Sequence, residues 1–117
     1  FRTWSDCDGD LYSIFTRDQL LTNLTIYWVT GTINSSTRLY YETMRSGGNL
    51  AAFSGRVEVP TGIAVYPREI IRPPRAWCEQ VYNVQHYERQ PKGGHFAAME
   101  QPEIFVDDVR AFFRRFR

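Results

Sequence analysis

The sequence predicts an α/β fold that forms the end of a larger open sheet, and three observations carry that expectation. Apolar residues recur with helical spacing around Leu20–Trp28, Leu39–Met44 and Phe105–Phe116. Strand-like runs lie between them, at Val57–Val65 and Val84–Arg89. The resulting order is helix, helix, strand, helix, strand, helix, and two strands are too few for an independent sheet with helices packed on it.

The composition fits one folded domain. The 117 residues are 43% hydrophobic, 15% aromatic and 23% charged, which is enough apolar material to form a core. Fourteen basic residues face thirteen acidic ones, a formal charge of +1, so the strong basic bias of a nucleic-acid binder is missing. No apolar run reaches the length of a membrane span, and the 117 residues contain no secretory leader. Cys7 and Cys78 lie far apart with no ligand-like spacing, which argues against a disulfide scaffold or a zinc ribbon. The sequence opens on Phe1-Arg2-Thr3-Trp4, without Met and without a polar lead-in, and this suggests a piece of a longer protein.

Residues 1–10 read as loop. Asp6, Asp8, Gly9 and Asp10 resemble the start of a calcium loop, but the twelfth position from Asp6 is Arg17 where a bidentate Glu is needed. Thr16 is a good N-cap for the first helix, Asp18 suits its first turn and Gly31 ends it. A second helix starts near Asn34-Ser35-Ser36 and stops at Ser46-Gly47-Gly48, so an αα-hairpin is expected. Asn23 and Asn34 begin formal glycosylation sequons, read here as coincidence.

Val57 to Val65 should form a buried strand whose entry is made irregular by Pro60 and Gly62, with Pro67 stopping it. Glu69 to Arg72 reads as a short turn or helix before Pro73-Pro74. Arg75 to Tyr82 reads as an amphipathic helix with Trp77 and Val81 inward, and Pro91 to His95 as a turn. Pro102 then opens the last helix at a first-turn position. Phe105, Val109, Phe112, Phe113 and Phe116 make one apolar stripe, and acidic first turns with a basic end match the macrodipole.

Reactive groups in an open parallel sheet collect in loops at the carboxyl ends of its strands. Glu69 follows the first strand and Gly93-Gly94-His95 follows the second. An acid and a histidine in such loops have the spatial order of an orienting carboxylate and a general base in α/β-hydrolases. A Gly-Gly-His turn is also compatible with no chemistry at all. Glu58 competes for the acid's role from inside a strand, His86 lies within a strand and reads as structural, and Glu42 and Glu79 read as surface residues.

The segment Lys92-Gly93-Gly94-His95-Phe96-Ala97-Ala98-Met99-Glu100-Gln101-Pro102-Glu103 resembles the catalytic-histidine segment of microsomal-type epoxide hydrolases. Three further blocks agree in order. Ile26 to Glu42 resembles the family's cap helices, Val59 to Glu69 its acid-bearing strand and loop, and Trp4-Ser5-Asp6 with Phe15 to Leu21 the approach to the cap. The resemblance implies the C-terminal portion of an α/β-hydrolase fold, with two cap-domain helices followed by the last two strands and the C-terminal helix. It divides the chain into residues 1–48, part of a helical cap, and 49–117, part of the core.

The resemblance further implies that His95 is the general base, Glu69 the orienting acid, and Tyr40 a proton donor to the epoxide oxygen. Tyr41 is the neighbour that competes with Tyr40. In the family an aspartate attacks the epoxide carbon to give an ester, which histidine-activated water hydrolyses to a diol. No segment here resembles the nucleophile elbow, the His-Gly oxyanion loop or the second cap tyrosine, so this chain alone should not turn over. No cofactor or metal is expected. The partners implied are a small-molecule epoxide and water, with no nucleic acid; membrane association and a homo-oligomer stay open, and a cytoplasmic location is expected. Another cap-bearing α/β-hydrolase and a non-catalytic α/β interaction module are the alternatives. A piece that exposes its sheet edge should also dissolve poorly.

Overall fold

The computed structural model describes residues 1–46 and 55–117. The chain divides into two compact units, one formed by residues 1–15 with 56–117 and the other by residues 16–55. The expected division at 48/49 falls outside the described residues. Residues 1–15, expected on the cap side, instead share the unit of the strands. Backbone contacts explain this: the His95 amide donates to the Trp4 carbonyl at 2.8 Å, and the Gly93 amide to Asp6 Oδ2 at 2.9 Å. Phe1 also stacks on Phe96 with centroids 4.2 Å apart and meets the buried Phe15 edge-on at 5.4 Å.

In the smaller unit, helix α1 spans Arg17–Thr30 and α2 spans Ile33–Arg45. Thr16 and Gln19 form a capping box, each side chain serving the other's backbone amide. Gly31 closes α1 in the left-handed conformation, with φ of 63°. α2 ends at Arg45 with Ser46 as its cap; the Gly47-Gly48 stop lies outside the described residues. The two helices follow each other directly, yet neither has a buried residue. The expected αα-hairpin is therefore a pair of consecutive helices that do not bury each other's apolar side chains. Leu21, Ile26 and Val29 add apolar side chains outside the face that Leu20, Leu24, Tyr27 and Trp28 share, so the apolar residues run around α1 and do not form one stripe against a polar face.

In the larger unit, β1 (Val57–Val65) pairs in parallel with β2 (Tyr82–Arg89), and α3 (Arg75–Val81) lies between them in sequence. The register slips between Val57 and Pro60 and again between Thr61 and Gly62, at the Pro60 and Gly62 that the sequence marked as irregular. β1 is not the buried strand expected. Val57 and Val59 are exposed, and only Val65 at its carboxyl end is buried, because β1 has β2 as its one neighbour strand among the described residues. α3 also turns differently from expectation: Trp77 is 67% exposed and Cys78 is buried in its place. Residues 69–72 are irregular, with a bend at Ile70, and form neither a turn nor a helix.

A four-residue helix, α4 (Ala97–Glu100), precedes α5 (Pro102–Phe113), with Pro102 in the first turn where its missing amide costs nothing. Of the α5 stripe only Phe112 is buried; Phe105, Val109, Phe113 and Phe116 stay partly exposed. Phe112 packs where β1 lacks a side chain: a Cβ on Gly62 would lie 2.9 Å from the Phe112 ring. Among the described residues no helix is long and apolar enough to cross a membrane. Gly62→Ala should destabilise this unit by about 1–3 kcal/mol through overpacking against Phe112, read as a lower denaturation midpoint.

Candidate active site

Parallel pairing puts the carboxyl ends of β1 and β2 side by side, so the loops that follow them meet. The Gln90 amide donates to the Val65 carbonyl at 2.9 Å, and Arg68 bridges Gly94 in the parallel sense one step beyond the strands. Glu69 and His95 emerge from these two loops. His95 Nδ1 lies 2.8 Å from Glu69 Oε1, and the two side chains are 39% and 29% exposed. A carboxylate can only accept, so Nδ1 carries the ring proton and Nε2 keeps its lone pair. Nε2 has no hydrogen bond within the described residues.

Glu69 is itself held. Its amide donates to the Tyr66 carbonyl at 3.2 Å, closing a turn, and Oε1 also accepts the Ile70 amide at 2.6 Å. Glu58, the competing acid, lies near the start of β1, exposed and 3.3 Å from Arg56 Nε. The structure thus gives the histidine to Glu69. His86 is buried in β2 and hydrogen-bonds Asp108 Oδ1 of α5 at 2.8 Å, which fits the structural role expected of it.

Both glycines before His95 are required by contacts. Gly93 has φ of +113°, and a Cβ there would sit 2.8 Å from the Tyr66 ring. A Cβ on Gly94 would lie 2.6 Å from the Trp4 carbonyl oxygen. The residues around them were not visible as functional in the sequence. Asp6, read there as part of a calcium-like loop, accepts the Gly93 amide and pairs with Arg68 Nε at 3.4 Å, while Asp8 pairs with Arg68 Nη2 at 2.7 Å. Asp10 caps the turn at Leu11–Ser13. No group of three or more potential metal ligands occurs among the described residues.

Trp4 packs edge-on to the His95 ring with centroids 5.1 Å apart, and Phe96 does the same from its own position at 5.1 Å. The neighbouring Tyr66 is buried, and its hydroxyl has no partner among the described residues. Burial pushes its phenol pKa up, and the nearby Asp108 adds to the shift. Tyr40 lies on α2, in the other unit from His95 and Glu69, with an exposed side chain. The neighbouring Tyr41 hydroxyl accepts from Arg45 Nη1 at 2.7 Å, so it is already engaged on its own helix.

Two paired loops at the carboxyl end of a parallel sheet, carrying an acid and a histidine in contact, define part of an α/β-hydrolase. Comparison with known proteins gives the family. No family model matches the chain. Epoxide hydrolase 1 of Sus scrofa is 39% identical over 96% of this chain, and a Stigmatella aurantiaca protein provisionally named an epoxide hydrolase is 42% identical over all of it. The crystal structure of juvenile hormone epoxide hydrolase from Bombyx mori superposes on the whole chain with a TM-score of 0.90 at 34% identity. The Aspergillus niger epoxide hydrolase shares the fold, with a TM-score of 0.79. The chain is a segment of the epoxide-hydrolase family. It spans 26% of the length of those curated relatives and 30% of the silkworm structure.

Gly93→Ala should cost about 1–3 kcal/mol, because it forces a side chain into a left-handed conformation against the Tyr66 ring. A lowered denaturation midpoint together with a shifted His95 ring resonance is the expected result. Tyr66→Phe should leave stability below pH 10 nearly unchanged or slightly raised, since no described residue loses a hydrogen bond. The raised phenol pKa has a sign. The unfolded chain loses the Tyr66 proton first, near 10, so stability falls as pH rises from there through the folded-state pKa. A pH series of denaturation midpoints should show less of that alkaline fall in the Phe variant.

Proposed function

We propose that this chain supplies the base, the acid and one ring-opening tyrosine of an epoxide hydrolase that converts epoxides to vicinal diols. The observation that carries the reading is the 2.8 Å contact between His95 Nδ1 and Glu69 Oε1, with Nε2 making no hydrogen bond among the described residues. In the first half-reaction a carboxylate nucleophile from elsewhere in the enzyme attacks an epoxide carbon. The carbon–oxygen bond breaks, an ester forms, and the ring oxygen takes a proton. Tyr40 is assigned as a donor of that proton: a phenol with a pKa near 10 can protonate an alkoxide-like oxygen without being ionised beforehand.

In the second half-reaction Nε2 removes a proton from water as the water oxygen attacks the ester carbonyl. The ester's acyl–oxygen bond breaks, the diol leaves and the carboxylate is regenerated; Glu69 stabilises the imidazolium and holds the tautomer, and the imidazolium's proton passes through solvent to replace the one that Tyr40 gave up. The substrate class is a small epoxide together with water. Tyr40 is assigned over Tyr41 on the resemblance of Ile26 to Glu42 to the family's cap helices.

The test uses the full-length hydrolase that contains these residues. His95→Gln should still form the ester but not hydrolyse it, so the protein gains the mass of one epoxide and turnover stops. Unchanged steady-state turnover would remove His95 from the role. Glu69→Gln should slow the hydrolytic step by at least about tenfold, because an amide can donate to Nδ1 and select the wrong tautomer.

A further inference from the structure

Every backbone amide from Gly93 to Phe96 is hydrogen-bonded, and two of the four go to one side chain. Gly94 donates to Glu100 Oε2 at 3.0 Å and Phe96 to Glu100 Oε1 at 2.9 Å, so the carboxylate grips the chain on either side of His95. The same Oε2 accepts the Asp6 amide at 2.8 Å. The two remaining amides go to the strip that Asp6 belongs to: His95 to the Trp4 carbonyl and Gly93 to Asp6 Oδ2. Glu100 is buried, at 7% exposure. It ends α4 and reaches back to the amide at the helix's own start, a reach like that of the Glu in a capping box.

We propose that Glu100 is the positioning residue of the His95 loop: its buried carboxylate fixes the backbone on both sides of the base and so holds the imidazole against Glu69. The inference rests on the reading of His95 as the base. The chemistry favours a carboxylate at this point. It offers only acceptors, and three amides converge on it from separate segments. A neutral amide in its place would turn an N–H donor toward at least one of those amides, leaving a buried donor unpaired.

Glu100 touches neither the imidazole nor the acid in the hydrogen-bond network, so its effect on chemistry must pass through the loop. An imidazole displaced by a fraction of an ångström still lets an ester form, since that step does not use the base. It slows the step that does. A misplacement of about 1 Å costs on the order of a hundredfold in a positioned reaction.

The experiment is single-turnover kinetics of the full-length hydrolase with styrene oxide, comparing Glu100→Gln, Glu100→Asp and His95→Gln with the parent. Glu100→Gln should slow ester hydrolysis by about tenfold to a hundredfold while changing ester formation less than about threefold, so that ester accumulates. Glu100→Asp keeps the acceptors on a shorter arm and should recover part of the hydrolytic rate. Equal loss in both half-reactions, or an unchanged hydrolytic rate in folded Glu100→Gln, would overturn the positioning role. If Glu100→Gln does not fold, Glu100→Asp decides alone: selective slowing of hydrolysis supports the role, and a parent-like ratio of the two rates overturns it. If His95→Gln itself accumulates no ester, the reading of the base has failed, and that failure is separate from the behaviour of Glu100.

Discussion

The site depends on the parallel pairing of β1 and β2. An antiparallel pair would send the two following loops to opposite ends of the sheet, and Glu69 could not reach His95. Parallel pairing requires a crossover, and residues 66–81 with α3 supply it. Once the strands run together, Arg68 and Gly94 continue the bridge beyond them and bring the acid loop into register with the histidine loop. The loop ends are then fixed by groups from outside the sheet. Residues 4–8 lie across them, so the first fifteen residues pack with the strands and not with the helices that follow.

The protein contains two histidine–carboxylate pairs with the same 2.8 Å separation, and their surroundings separate them. His86 and Asp108 are 8% and 13% exposed, and Asp108 Oδ1 also accepts Gln90 Nε2 at 2.9 Å. That pair ties β2 to α5, and both of its side chains are largely buried. His95 and Glu69 are 39% and 29% exposed, sit past the strand ends, and leave one ring nitrogen without a partner among the described residues. A shared distance therefore says little about chemistry. The position relative to the sheet and the access of the second nitrogen decide it.

Much of the local structure could be read from the sequence, because it is set by local chemistry. Thr16 with Gln19, Gly31 and Pro102 marked helix ends through caps that act within a few residues, and Pro60 and Gly62 marked the irregular register of β1. Glu69 and His95 could be read because strand ends collect reactive groups and because their segments resemble a known family. What could not be read depends on distant partners for which the sequence offered no family resemblance. Trp77 and Cys78 are adjacent on a short helix, and only its neighbours decide which is buried. The acids Asp6 and Asp8 resembled a calcium loop in one dimension and proved to be partners of Gly93 and Arg68 in three. Glu100 lacked a separate signal: one Glu at the end of a short apolar turn reads as an exposed helix residue until its amides are seen.

The unburied apolar residues follow from the same architecture. A two-stranded piece of an α/β-hydrolase sheet offers few surfaces against which its helices can bury a full stripe. Phe112 finds one, in the gap that Gly62 leaves, and it collects His86, Phe113 and Phe116 around it. Phe105 and Val109, about two turns and one turn earlier on α5, find none among the described residues and stay partly exposed. The loops that carry Glu69 and His95 do not share this weakness. Their order comes from hydrogen bonds to the buried Glu100 and the half-buried Asp6 and from a short aromatic stack, which are local to the site. The geometry of His95 and Glu69 is thus defined within this chain, even though it spans about a quarter of the length of its relatives.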